Sequence, residues 1–130
     1  MKKIMLFLMC VCFVTPVSAE PTCEENGGSI ITAKDGTKFC KSDKTMNWWS
    51  AFAWCESQKR TLAEFSKMCP GVSQSPANKD GDCPNLQGLA DSGWVWSSLA
   101  YGSNNAFIVD LSSGAVHYGW RANGYSALCE

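Results

Sequence analysis

Apolar and polar positions along the chain change rhythm three times, and each rhythm predicts a different element. Ser29-Ile30-Ile31-Thr32 is β-branched and strand-like. Lys34-Asp35-Gly36-Thr37 carries the Asp-Gly signal of a hairpin turn, and Lys38-Phe39-Cys40-Lys41 returns as a second strand. Between Thr45 and Gln58 the period lengthens: Trp48, Ala51, Phe52 and Cys55 fall at i, i+3, i+4 and i+7, one face of a helix. Thr45 or Asn47 supplies its N-cap. Thr61-Leu62-Ala63-Glu64 matches an S/T-x-x-E capping box, so a second, short helix is expected from Leu62 to about Met68, with Leu62 and Phe65 inward. Cys69-Pro70-Gly71 ends it, because proline cannot continue a helix and glycine suits its end.

Residues 70–92 are rich in Pro, Gly, Ser, Asn and Asp, too long a loop for a compact domain unless something ties it down. From Gly93 onward period-two patterns return, in Trp94-Val95-Trp96-Ser97-Ser98, then Ala106 to Leu111, then Ala115 to Trp120. Val116, Tyr118 and Trp120 share one face of the last. Ser112-Ser113-Gly114 separates the second strand from the third. Asn123-Gly124 is a strong hairpin dipeptide, and Tyr125 to Cys129 closes the chain as a further strand. The expectation is an α+β domain with two short helices and an antiparallel sheet. No internal repeat or low-complexity tract interrupts it.

The first residues follow another logic. Lys2 and Lys3 precede the apolar run Ile4 to Val14, and Pro16 and Val17-Ser18-Ala19 follow, the charge, core and small-residue pattern of a secretory signal cleaved after Ala19. The run is too short for a membrane span, which needs about 20 apolar residues. Cys10 lies inside the apolar core, not after it, which argues against a lipoprotein. Residues 1–19 are thus read as a signal peptide and 20–130 as one extracytoplasmic domain, secreted, periplasmic or displayed at the cell surface.

Composition then sharpens the picture. The whole chain has 130 residues, formal charge −1 and 12% aromatics, which excludes wholesale disorder and a strongly basic nucleic-acid surface. Without Lys2 and Lys3 it holds nine basic and twelve acidic residues, a net charge of about −3. Cys10 and Cys12 leave with the signal. Cys23, Cys40, Cys55, Cys69, Cys83 and Cys129 remain, and six cysteines in a small exported domain read as three disulfides. Their wide spacing and the single histidine, His117, disfavour zinc. Cys23 and Cys40 bracket the first hairpin, and Cys69 and Cys83 would close most of the long loop, so a local bridge suits each pair without the spacing deciding among the alternatives.

The order hairpin, helix, short helix, stapled loop and C-terminal strands resembles the C-type-lectin-like domain. The residues that carry the likeness are Phe39-Cys40, Trp49-x4-Trp54-Cys55-Glu56, Thr61-Leu62-Ala63, Trp94-Val95-Trp96-Ser97-Ser98 and Leu128-Cys129, and it covers residues 23–130. The resemblance implies that Cys55 pairs with Cys129, that Cys23–Cys40 is the family's N-terminal hairpin bridge, and that Cys69–Cys83 is left. Sugar-binding members carry Glu-Pro-Asn or Gln-Pro-Asp and Trp-Asn-Asp to hold calcium. None of these occurs here, and Asn78-x-Asp80-x-Asp82 lacks the glycine and glutamate of a calcium loop. No metal or cofactor is expected. The segments Asn104-Asn105-Ala106-Phe107 and Arg121 to Cys129 look closer to bacterial surface members, some of them variable proteins of retroelement-driven diversification systems.

An enzyme would need a base within reach of a reacting group. His117 stands alone, with no Gly-x-Ser-x-Gly elbow or His-Glu-x-x-His helix, so no catalytic role is expected. A binding module fits better. The C-terminal strands are rich in Tyr, Trp, Asn, Ser and Gly, residues that combine rigid contact area with adaptable hydrogen bonds. Tyr101, Asn104, Asn105, Tyr118, Trp120, Arg121 and Asn123 are the candidate ligand-binding residues, for a protein or glycan partner without calcium. Against this, Tyr118 and Trp120 could pack in the core and Asn123 could only make its turn. Trp48, Trp49 and Trp54 read as core, with an exposed sugar platform as the alternative. The rival function is a structural subunit of a surface fibre or envelope assembly.

Overall fold

The computed structural model describes residues 22–130; the expected signal peptide lies outside them. The described chain is α+β, with six strands in one sheet, two helices and three disulfides. The strands are β1 (Gly28–Thr32), β2 (Lys38–Met46), β3 (Trp94–Tyr101), β4 (Asn105–Asp110), β5 (Val116–Trp120) and β6 (Tyr125–Cys129); the helices are α1 (Trp48–Glu56) and α2 (Phe65–Met68). No helix among the described residues is long and apolar enough to cross a membrane.

The sheet runs β1-β2-β6-β3-β4-β5. Every neighbouring pair is antiparallel except β3 and β6, which are parallel through Val95 and Ser126. The expected all-antiparallel sheet is therefore corrected to a mixed one. β5 and β6 do not pair, so Asn123-Gly124 is not a hairpin tip. It turns the chain away from the β5 edge, and β6 enters the middle of the sheet between β2 and β3. Neither Asn123 nor Gly124 takes the positive φ that a tight Asn-Gly hairpin turn demands.

Two strands carry a β-bulge, and a buried serine sits at each. In β2 the register shifts between Lys41 and Thr45, where Ser42 Oγ donates to Lys44 O (2.7 Å) and accepts from Ala127 N–H (2.8 Å). In β3 the shift lies between Trp96 and Ala100, where Ser97 Oγ donates to Phe107 O (3.0 Å) and accepts from Leu99 N–H (3.2 Å). A bulge interrupts the ladder, and each hydroxyl satisfies groups that the ladder no longer pairs.

Asn47, not Thr45, caps α1, accepting from Ser50 N–H at 2.8 Å. The expected start of α2 is corrected. Thr61 to Ala63 are extended, because their backbone groups already pair with β6: Glu130 N–H donates to Thr61 O (2.8 Å) and Ala63 N–H to Leu128 O (2.7 Å). The helix begins at Phe65, and Glu130 Oε2, in place of a capping box, accepts the Glu64 N–H at 3.0 Å. Leu62 and Phe65 are buried as expected.

The core has two parts. One gathers Phe39, Phe65, Met68, Leu86, Val95, Phe107, Val109, Leu111, Val116 and Leu128 under α2 and the long loop. The other packs α1 against Trp96, Ala106, Ile108 and Ala127, with Trp48, Phe52, Trp54, Trp94 and Tyr125 around them. All three disulfides pair as expected, Cys23–Cys40, Cys55–Cys129 and Cys69–Cys83, with Cα separations of 5.7, 5.6 and 5.2 Å. Cys55–Cys129 joins the end of α1 to the end of β6.

Asn85 anchors the long loop. Its Nδ2 donates to Met68 O (3.0 Å) and its Oδ1 accepts from Asp35 N–H (2.8 Å), tying α2 to the first hairpin turn. Asp35 in turn accepts the Thr37 N–H, which holds its carboxyl below the ordinary carboxylate range. That contribution is present at neutral pH and fades as acid protonates the group. Replacing Asn85 with alanine leaves Met68 O and Asp35 N–H unpaired, and about 2 kcal/mol of stability should be lost in urea unfolding.

Candidate functional site

The strand pair β4–β5 ends at one corner of the sheet, beside the N-terminus of α1. The corner is braced by Arg121. Its Nε donates to Asn105 O (3.0 Å) and its Nη2 to Gly102 O (2.8 Å), while the guanidinium lies 4.7 Å from the centre of the Trp48 ring. Trp48 N–H donates to Arg121 O (2.9 Å), and Trp48 Nε1 donates to Ser97 O (2.9 Å). Charged hydrogen bonds and a cation–π contact thus fix the β3–β4 turn against α1. Two of the five N–H groups of the Arg121 guanidinium are therefore committed to the fold.

Around this corner the aromatic side chains are exposed. Trp120 is 64% exposed, Trp49 56%, Tyr118 39% and Tyr101 38%. The alternative in which Tyr118 and Trp120 are core is excluded. Tyr101 stacks on Tyr118 with ring centres 4.8 Å apart, and it makes a T-shaped contact with Phe107, ring centres 5.2 Å apart. The pair is thereby held in place at the surface without being buried. Exposed aromatics fixed by packing lose little entropy when a partner covers them.

Two cavities meet at Trp120. The larger, about 510 Å³, is lined by Trp94, Ile108, His117, Gly119, Trp120 and Tyr125, with Asn105, Tyr118 and Asn123. The smaller, about 260 Å³, lies between Trp49 and Trp120, with Ser103, Asn104, Arg121 and Ala122. Gly119 lets Tyr125 lie close against β5 in the larger cavity: a Cβ there would stand 2.6 Å from the Tyr125 ring, which would have to move. Neither cavity is lined by a carboxylate.

Of the seven residues chosen from sequence, six line these cavities and Tyr101 supports Tyr118 beside them. Asn105, Tyr118 and Asn123 belong to the larger, Asn104 and Arg121 to the smaller, and Trp120 to both. Asn123 also shapes its turn, donating its N–H to Trp120 O at 2.9 Å. The core reading of Trp49 is corrected: it stands off the face formed by Trp48, Ala51, Phe52 and Cys55 and is exposed, as the alternative of an aromatic platform had it, while the lining by Trp94, His117 and Tyr125 is not read from sequence. His117 Nδ1 and Asn105 Oδ1 are the two buried side-chain polar atoms with no hydrogen-bond partner among the described residues. The Asp82 carboxylate in the loop accepts from Lys79 and Val116 N–H groups (2.8 and 3.1 Å), which binds the loop to the start of β5. Compared with protein-family models and with curated proteins, the chain matches none.

Proposed function

We propose that this chain is a secreted or surface-displayed, non-catalytic binding module of C-type-lectin-like fold, recognising a protein or glycan partner without calcium through the corner around Trp120. The observation that carries the reading is the pair of cavities sharing Trp120, which is mostly exposed yet stands on a strand fixed by its neighbours. The clasp between α1 and β6 through Cys55–Cys129, with the hairpin bridge Cys23–Cys40, supports the lectin-like assignment. Three disulfides support an oxidising compartment.

The test is a glycan and protein-partner screen on the oxidised domain, with and without a calcium chelator. Trp120→Ala should weaken binding at least ten-fold, as interface tryptophans commonly do, while leaving the melting temperature within about 2 °C because the side chain is not core. Chelator-sensitive binding, or unaltered binding by Trp120→Ala, would overturn the reading. A structural subunit would instead run as an assembly on size-exclusion chromatography.

A further inference from the structure

The larger cavity opens beside an unpaired sheet edge, and the two features together select a ligand. β5 is the last strand of the sheet. The backbone bonds Asp110 N–H to Ala115 O (3.0 Å) and Arg121 N–H to Asn104 O (2.9 Å) set the phase of the β4–β5 ladder. Alternation then turns the N–H and C=O groups of Val116, Tyr118 and Trp120 away from β4. Val116 spends its pair on the loop: its C=O accepts from Asn78 N–H (2.7 Å) and its N–H donates to Asp82 Oδ2 (3.1 Å). Trp120 O accepts from Asn123 N–H. Both groups of Tyr118 and the N–H of Trp120 take no partner among the described residues.

This edge lacks the usual protection. Residues 116–120 contain no charge and no proline, and the β4–β5 register runs without a bulge. The chain's own loop already docks on the first residue of the edge and stops there. An extended segment can continue where it stops.

The cavity supplies the selectivity. His117, Gly119 and Trp120 of β5 line it, so a side chain projecting from an added strand would enter it. Asn105 and His117, which carry the two unpartnered buried atoms, line the same space. Asn105 Oδ1 is an acceptor, and neutral His117 accepts at whichever ring nitrogen lacks the proton. Buried polar atoms without partners are rare in folded proteins. These two have almost no accessible surface themselves, but both residues are only partly buried, so a rotation of the Asn105 amide or the His117 ring toward the cavity would present the acceptor to a group rich in N–H donors. Trp94, Trp120 and Tyr125 add aromatic rings, which attract cations. No lysine or arginine lines the space to repel one.

Resting on the binding role proposed above, we infer that the partner is a protein, whose extended segment adds to the open edge of β5 and places a lysine or arginine side chain in the cavity beside His117 and Trp120. Main-chain pairing gives the affinity and the cavity gives the choice of side chain.

The probe is acetyl-Thr-Val-Lys-Val-Thr-amide, titrated into the oxidised domain and followed by amide and indole NMR shifts. Binding should move the Tyr118 and Trp120 amides, and norleucine in place of lysine should weaken it roughly ten-fold. His117→Phe, which keeps a ring and removes the nitrogen acceptor, should weaken the lysine peptide by a similar factor and leave the norleucine peptide unchanged. Equal binding of the two peptides would overturn the inference. So would binding of methyl glucosaminide with none of the peptide, or self-association that protects the Tyr118 amide. If the peptide fails while a partner from the screen still depends on Trp120, this inference falls and the binding role stands. If no interaction depends on Trp120, both fall.

Discussion

Replacing Cys55 and Cys129 together with alanine should cost about 4 kcal/mol, the largest loss from removing any one of the three bridges. The two residues are 74 apart in sequence, against 17 for Cys23–Cys40 and 14 for Cys69–Cys83. The entropy that a cross-link withholds from the unfolded chain grows with the logarithm of the loop it closes, giving roughly 4–5 kcal/mol for the long loop and about 3 kcal/mol for each short one. Domains of this size have a net stability of about 5–15 kcal/mol, so the double variant should unfold well below the parent in urea. Both cysteines are fully buried, and Cys129 stands opposite Cys40 across the β2–β6 ladder. Loss of this bridge therefore also loosens the point where the helix, the hairpin and the central strand meet. An equal or smaller loss than for the Cys69→Ala/Cys83→Ala variant would show that unfolded-state constraint is not what the long bridge supplies.

Such local and covalent features are what sequence conveys most readily. The Asp35-Gly36 turn is legible because its chemistry is local: Gly36 takes a φ of 92°, which residues with a Cβ resist. The helical face of Trp48, Ala51, Phe52 and Cys55 is legible for the same reason, since period alone sets it. What escaped was decided by distant partners. Thr61-Leu62-Ala63-Glu64 reads locally as a helix start, yet β6 captures its backbone from more than 60 residues away. Asn123-Gly124 reads as a hairpin, but strand pairing is a property of the whole sheet, and β6 found a better place between β2 and β3. At the candidate site, composition drew attention to the C-terminal segment because tyrosine, tryptophan and asparagine cluster there, and six of the seven residues chosen line the two cavities. Trp49 reads as core from its apolar bulk, although it stands off the face that the period sets and is exposed. The roles of Ser42, Ser97 and Asn85 were illegible because a buried hydroxyl or amide matters only through the carbonyls and N–H groups it meets.

Among the tryptophans, Trp96 should behave as the opposite of Trp120. It is fully buried, the bulkiest such side chain among the described residues, and makes a T-shaped contact with Tyr125, ring centres 4.8 Å apart. Its Nε1 donates to Met46 O at 2.8 Å, which joins β3 to the segment leading into α1. Trp96→Ala opens a cavity between sheet and helix and should cost about 3–5 kcal/mol, read from chemical unfolding. Trp96→Phe separates the two contributions: the ring space is largely refilled, but Met46 O loses its donor, so roughly 1–3 kcal/mol should remain lost. The substitution also reaches the site, because Tyr125 leans on Trp96 on one side and covers Gly119 on the other. Binding through the larger cavity should therefore weaken in Trp96→Phe even under conditions where the variant is fully folded, whereas contacts made only by Trp49 and Asn104 in the smaller cavity should persist. A Trp96→Phe protein with parental stability and parental binding would mean that the floor of the cavity is set by the strand backbones, with no contribution from the indole beneath it.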